Sequence, residues 1–164
     1  AAMKQQARLG ILRTALDLGQ NEEAIVQADE LLKTTAASPE TVEEVNYLRA
    51  VALNRSGKVL EADRILGEMA ENPASLYGSM AAVTLGENLL ERGQLNRAYN
   101  VTDKFINANP PHQYWLARGF IVYSDILRKQ GKTFEADEYL KSLRRNYPGG
   151  EADIIQMIDK RIGK

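Results

Sequence analysis

Gly19-Gln20-Asn21-Glu22-Glu23-Ala24, Gly57-Lys58-Val59-Leu60-Glu61-Ala62, Gly93-Gln94-Leu95-Asn96-Arg97-Ala98 and Gly131-Lys132-Thr133-Phe134-Glu135-Ala136 are four versions of one phrase. The copies begin 38, 36 and 38 residues apart. Self-similarity at such a period is the signature of a repeat array, in which each unit buries its apolar side against its neighbours. On either side of each phrase, apolar residues recur at helical spacing. Leu9, Leu12, Ala15 and Leu16 precede Gly19, while Ala24, Ile25, Ala28, Leu31 and Leu32 follow it. Around Gly93 the same pattern is carried by Ala82, Leu85, Gly86, Leu89 and Leu90, then by Ala98, Val101, Phe105 and Ile106. Each phrase therefore joins two helices. Its Gly ends the first, because glycine enters the left-handed cap conformation at little steric cost. Asn21 and Thr133 are the expected N-caps of the helices that follow.

Every proline falls at a junction between helix pairs: Ser38-Pro39, Asn72-Pro73, Asn109-Pro110-Pro111 and Tyr147-Pro148. Proline at the first position of a helix is tolerated and in its interior is not, so breakers and periodicity agree. The expected helices span about 2–18, 22–34, 39–55, 59–71, 74–92, 95–108, 111–130, 133–146 and 150–162, with boundaries uncertain by roughly 2–4 residues. No segment shows sustained period-2 alternation. The last segment carries Ile154, Ile155, Ile158 and Ile162 as an apolar stripe. It reads as a helix capping the array, the alternative being the first helix of a further repeat.

Composition narrows the function classes. The 164 residues are 44% hydrophobic with a net charge of −1, so the chain folds and no overall field draws it to nucleic acid. Charge is uneven: residues 21–44 hold seven acids against Lys33, a net of −6, and residues 111–164 hold ten bases against seven acids, a net of +3. With no cysteine there is no disulfide, thiolate metal site or cysteine nucleophile. No apolar run reaches the length of a membrane span, so direct membrane insertion is not expected. Beginning at Ala1-Ala2-Met3-Lys4, the chain reads as a piece of a longer or processed protein.

No catalytic constellation is visible, and an enzyme is not expected. The adjacent acids Glu22-Glu23, Asp29-Glu30, Glu43-Glu44 and Asp137-Glu138 point about 100° apart on a helix and do not converge. His112 is the only histidine, too few for a multi-histidine metal site, and it is expected at a helix N-terminus, mostly exposed. Gly149-Gly150 is too short for a phosphate loop, so no cofactor is expected. Gly67, Gly78 and Gly119 read as close-packing points. Tyr114, Trp115, Phe120 and Tyr123 form an aromatic cluster with two readings, core between the third and fourth units or a hot spot near one edge. Arg118, Arg128, Lys129, Lys132, Lys141, Arg144 and Arg145 lie close by. A nucleic-acid partner would use them, but the interleaved Glu135, Asp137 and Glu138 argue against it.

The paired helices resemble the tetratricopeptide repeat over residues 5–148. The family places a small residue twelve before the phrase's Ala; Ala50, Gly86 and Ser124 comply and Leu12 departs. The Ala itself is present four times, and the closing Pro twelve later is matched by Pro110 and Pro148. The family's early Trp is absent. The resemblance implies an all-α, right-handed α-α superhelix of four repeats, about 5–38, 39–73, 74–110 and 111–148, plus a capping helix at about 150–162. It also implies a protein or peptide partner held in a concave groove lined by the first helices. Transferred position by position, that groove would present Leu9, Arg13 and Leu16; Tyr47, Val51 and Asn54; Met80, Val83, Glu87 and Leu90; and Arg118, Ile121, Asp125 and Arg128. Some of these would instead be buried by neighbouring helices. The carboxylate clamp of chaperone-binding members is matched only in fragments by Leu9, Arg13, Tyr47 and Asn54. The alternative role is structural, a module that joins parts of a larger protein or self-associates as a homo-oligomer. The run Tyr147-Pro148-Gly149-Gly150-Glu151-Ala152-Asp153-Ile154-Ile155 resembles the C-terminal ends of large Bacteroidetes cell-envelope repeat proteins, which favours the envelope over the cytoplasm.

Overall fold

The computed structural model describes residues 2–34 and 37–163. Among them are nine α-helices and no strand: α1 (Ala2–Asp17), α2 (Asn21–Leu32), α3 (Pro39–Arg55), α4 (Val59–Ala70), α5 (Leu76–Glu91), α6 (Leu95–Asn107), α7 (Gln113–Lys129), α8 (Thr133–Asn146) and α9 (Ala152–Ile162). Each expected helix is present within two residues at either end.

The four phrases form one device. Gly19, Gly57, Gly93 and Gly131 have φ of +73°, +83°, +75° and +83°. At each, the Gly N–H donates to the carbonyl three residues back and the next N–H to the carbonyl five residues back: Gly93 to Leu90 at 3.0 Å and Gln94 to Leu89 at 2.9 Å, for example. This is the Schellman arrangement, which satisfies carbonyls that a helix end would leave orphaned. The residue after the Gly is already the N-cap of the next helix. Gln20 and Lys132 therefore hold that position, without a side-chain hydrogen bond. Asn21 and Thr133 lie one residue too late and are the first helical residues, a correction to the expected caps. Side-chain caps occur at the longer junctions. Thr41 N–H donates to Ser38 Oγ ahead of Pro39, and Gly78 N–H donates to Ser75 Oγ at 2.9 Å, which delays the start of α5 to Leu76.

The chain divides into two compact units, residues 1–69 and 70–164. In the first, α1, α2 and α3 pack on one another. Leu12, Ala24, Ala28, Ala50, Ala62 and Leu66 are fully enclosed. Leu12, where a small residue was expected, is thus accommodated in the core. Arg49 bridges Asp29 (2.6 Å) and Glu61 (3.0 Å), tying α3 to α2 and α4.

In the second unit α7 packs against α5 and α6, and α9 against α7 and α8. Close approach explains the small residues. A Cβ on Gly86 would come within 2.6 Å of Thr102 Oγ1, and one on Gly119 within 2.7 Å of the Phe105 ring. Ser124, fully buried, donates its hydroxyl to the Ala136 carbonyl at 3.1 Å, joining the two positions twelve residues apart. Ile154 and Ile158 of α9 are fully buried with Leu140, Ala117 and Ile121. Full burial of such a side chain contributes about 1.5–3 kcal/mol.

Candidate functional site

In the first unit the sequence-derived groove positions divide. Leu9 and Leu16 are buried and belong to the core. Arg13 reaches from α1 to α3, where its Nε and Nη2 each lie 2.8 Å from a carboxylate oxygen of Glu44. Tyr47, Val51 and Asn54 are half-buried along α3.

In the second unit the structure brings several of these positions together. A cavity of about 400 Å³ opens between α5, α7 and α9, lined by Glu87, Leu90, Glu91, Arg118, Ile121, Val122, Asp125, Met157, Lys160 and Arg161. Successive first helices supply α5 and α7, and α9 takes the corresponding place beside α7. Leu90, Ile121, Val122 and Met157 provide apolar surface. The surrounding charges are paired: Arg118 with Glu87 at 3.1 Å, and Arg161 with both oxygens of Asp125 at 2.7 and 2.9 Å. The bond with Asp125 raises Arg161 above its ordinary pKa, with burial pulling the other way. Lys160 and Glu91 are exposed at the rim and enter no ion pair among the described residues. The lining is therefore balanced, three cations against three carboxylates.

Arg118 is held in place from several directions. Its guanidinium lies 5.3 Å from the Trp115 ring centre and 5.8 Å from that of Tyr114, within cation–π range. It also donates to Tyr114 Oη at 3.1 Å, while that hydroxyl donates to Asp153 of α9 at 2.6 Å. Burial, then the bond to Asp153, raises the Tyr114 pKa. A chain of contacts thus runs Glu87–Arg118–Tyr114–Asp153, linking three helices.

Other expected residues fall elsewhere. Val83 and Ile121 are buried, though Ile121 still reaches the cavity wall. Arg128 turns to Asp137 of α8 at 2.6 Å, and Met80 is half-buried on α5. The aromatic cluster divides in two. Tyr114 and Trp115 meet edge to face at 5.3 Å beside Arg118. Tyr123, buried, contacts Tyr99 at 5.4 Å and Tyr139 at 5.3 Å, while Phe120 stacks on Tyr139 at 6.1 Å. His112 is partly rather than mostly exposed, its Nε2 2.9 Å from the Ala74 carbonyl, so it ties two junctions together.

Glu91, Val122, Met157, Lys160 and Arg161 were not anticipated as lining residues. Met157 and Arg161 follow Ile154 and Ile158 by three residues, which places them beside that stripe on α9 and was the available signal. Among the described residues no group of three or more His, Asp or Glu is placed to hold a metal ion, and no helix is long and apolar enough to cross a membrane.

Among the described residues the chain is an all-α array of paired helices. Residues 123–150, which span the end of α7 and all of α8, match the tetratricopeptide repeat family model. The solved structure of MamA MSR-1 C2 is similar, with a TM-score of 0.58 over 98% of this chain and 88% of that one, at 19% identity. No curated protein matches the sequence.

Proposed function

We propose that the cavity between α5, α7 and α9 binds a short segment of a partner protein through an apolar anchor side chain. The observation that supports this is the combination of apolar surface with charges already paired to one another. An uncharged anchor entering beside Leu90, Val122 and Met157 leaves the Glu87–Arg118 and Asp125–Arg161 pairs intact. A buried charge arriving alone would be left without a partner, which is costly. Lys160 and Glu91, unpaired at the rim, are then available to the residues flanking the anchor. Half-buried apolar residues enclosed by a polar rim are the usual form of an interaction hot spot. Arg13, Tyr47, Val51 and Asn54 are proposed as a separate contact surface of the first unit.

The test is selection of displayed random dodecapeptides on the purified protein, followed by mapping of a selected peptide by amide chemical shifts. Shifts should centre on residues 87–91, 118–125 and 157–161. Leu90→Asp and Met157→Asp should each weaken binding by about tenfold or more, equivalent to 1.4 kcal/mol. Selected peptides that bind both variants as tightly as the wild type would defeat the proposal. A protein that selects no peptide and instead self-associates with concentration would favour the assembly role.

A further inference from the structure

We propose that the solvent face of α8 is a second docking surface, which takes an arginine or lysine side chain of a partner segment between Phe134 and Tyr139, with Glu135 and Glu138 as its counter-charges. A shallow recess of about 370 Å³ lies there, lined by Phe134, Glu135, Glu138, Tyr139 and Ser142. Helical geometry sets the order of these side chains around the axis. Counting from Phe134, Glu138 lies at about 40°, Ser142 at about 80°, Glu135 at about 100° and Tyr139 at about 140°. Both carboxylates thus stand between the two rings.

The two rings are held differently. Tyr139 is fixed from behind, stacked on Phe120 and edge-on to Tyr123. Among the described residues Phe134 has no ring partner, and it is 76% exposed. Among the described residues Glu135 enters no ion pair, and Glu138 has only an open contact with Lys141 at 3.5 Å, both groups being half exposed. Solvent-exposed pairs of that kind are weak and are readily exchanged for a better partner.

Charge decides the occupant. A purely apolar partner would strip water from two carboxylates without replacing it, and a phosphate or acidic segment would be repelled. A guanidinium or ammonium satisfies the carboxylates and rests against the faces of the aromatic rings. The second helix of an earlier pair serves as an internal comparison. Gly57-Lys58-Val59-Leu60-Glu61-Ala62 aligns with Gly131-Lys132-Thr133-Phe134-Glu135-Ala136, and Leu60 is likewise exposed at 81%. In α4, however, Arg64 stands in the place of Glu138, buried Ile65 in that of Tyr139, and Glu61 is already paired with Arg49. Only α8 has the full set.

The experiment titrates the ¹⁵N-labelled protein with the peptide acetyl-Gly-Arg-Leu-Arg-Gly-amide, and in parallel with its citrulline counterpart, which keeps the shape and loses the charge. The arginine peptide should shift amides of residues 133–142 in a saturable manner, and the citrulline peptide should bind about tenfold more weakly or worse. Phe134→Ala and the double variant Glu135→Gln/Glu138→Gln, all at exposed positions, should each lose most of the response while keeping the wild-type circular dichroism. Leu60→Ala should change nothing. Equal binding of the two peptides, shifts centred on the α5–α7–α9 cavity, or no saturable response at about 5 mM peptide would each overturn the proposal. Because the two surfaces are read by different amides, this outcome is separable from that of the cavity test.

Discussion

Replacing Gly93 by alanine should destabilise the second unit through the backbone alone. A Cβ there meets no atom within 4 Å, so no packing is disturbed, but φ is +75°. An L-residue in the left-handed region costs about 1–2 kcal/mol. The substitution also restricts the unfolded chain, which returns about 0.4–1 kcal/mol. The net loss is then about 0–1.6 kcal/mol, centred near 0.8, and each kcal/mol lowers the melting temperature by about 2–4 °C in a chain of this length. Asparagine visits the left-handed region more readily, so Gly93→Asn should lose less than Gly93→Ala. Gly119 calls for the opposite order. Its backbone is helical, and the obstacle is the Phe105 ring at 2.7 and 2.9 Å from an added Cβ. There alanine meets overpacking of about 1–3 kcal/mol, offset by about 1 kcal/mol of helix propensity. Asparagine, bulkier and less helix-forming, should be worse. Urea denaturation followed by helical circular dichroism measures all four variants. If alanine equals or exceeds asparagine at Gly93, the cap is not what ends α5 and the reasoning fails.

Three further outcomes are expected. Ser38→Ala and Ser75→Ala should each lose about 1 kcal/mol by removing a side-chain cap, with faster amide exchange in the first turns of α3 and α5; unchanged exchange would show the caps to be idle. A double-mutant cycle with Asp125→Asn and Arg161→Gln should give a coupling of about 0.5–1 kcal/mol, modest because both side chains remain about a quarter exposed; additivity within error would show that this pair does not anchor α9. Burial, reinforced by the hydrogen bond to Tyr99, holds the Tyr123 pKa well above its usual value of 10.0. The folded state therefore keeps a proton that the unfolded state loses, so the contribution of Tyr123 to stability should be full below about pH 10 and be lost as pH rises beyond it. Tyr123→Phe should reduce that slope in urea midpoints measured across the range, Tyr114 and Tyr147 accounting for part of what remains.

Helices, their ends and their pairing were legible because each depends on neighbours in sequence. A Gly with apolar residues at helical spacing on both sides specifies a Schellman turn by itself. The one local error, Asn21 and Thr133 as caps, arose because that turn leaves a single residue between its Gly and the next helix, so position overrides cap preference. Of the groove residues, Glu87, Leu90, Arg118, Ile121 and Asp125 come together, whereas Leu9, Leu16 and Val83 are absorbed by the core. Helical register assigns a residue to a face of its own helix, but burial depends on the helix packed beside it.

The sequence by itself determined an all-α array of paired helices, the four glycine-capped turns and the small residues that let α5 and α7 each pack closely on α6, all of them consequences of short-range backbone geometry and residue size. Only the tertiary structure decided that α9 completes the wall of the cavity, that Arg118 and Arg161 are engaged by Glu87 and Asp125, and that Tyr139 is braced while Phe134 stands free. Those features join residues more than thirty positions apart, or compare the two sides of one helix, and no local preference encodes them.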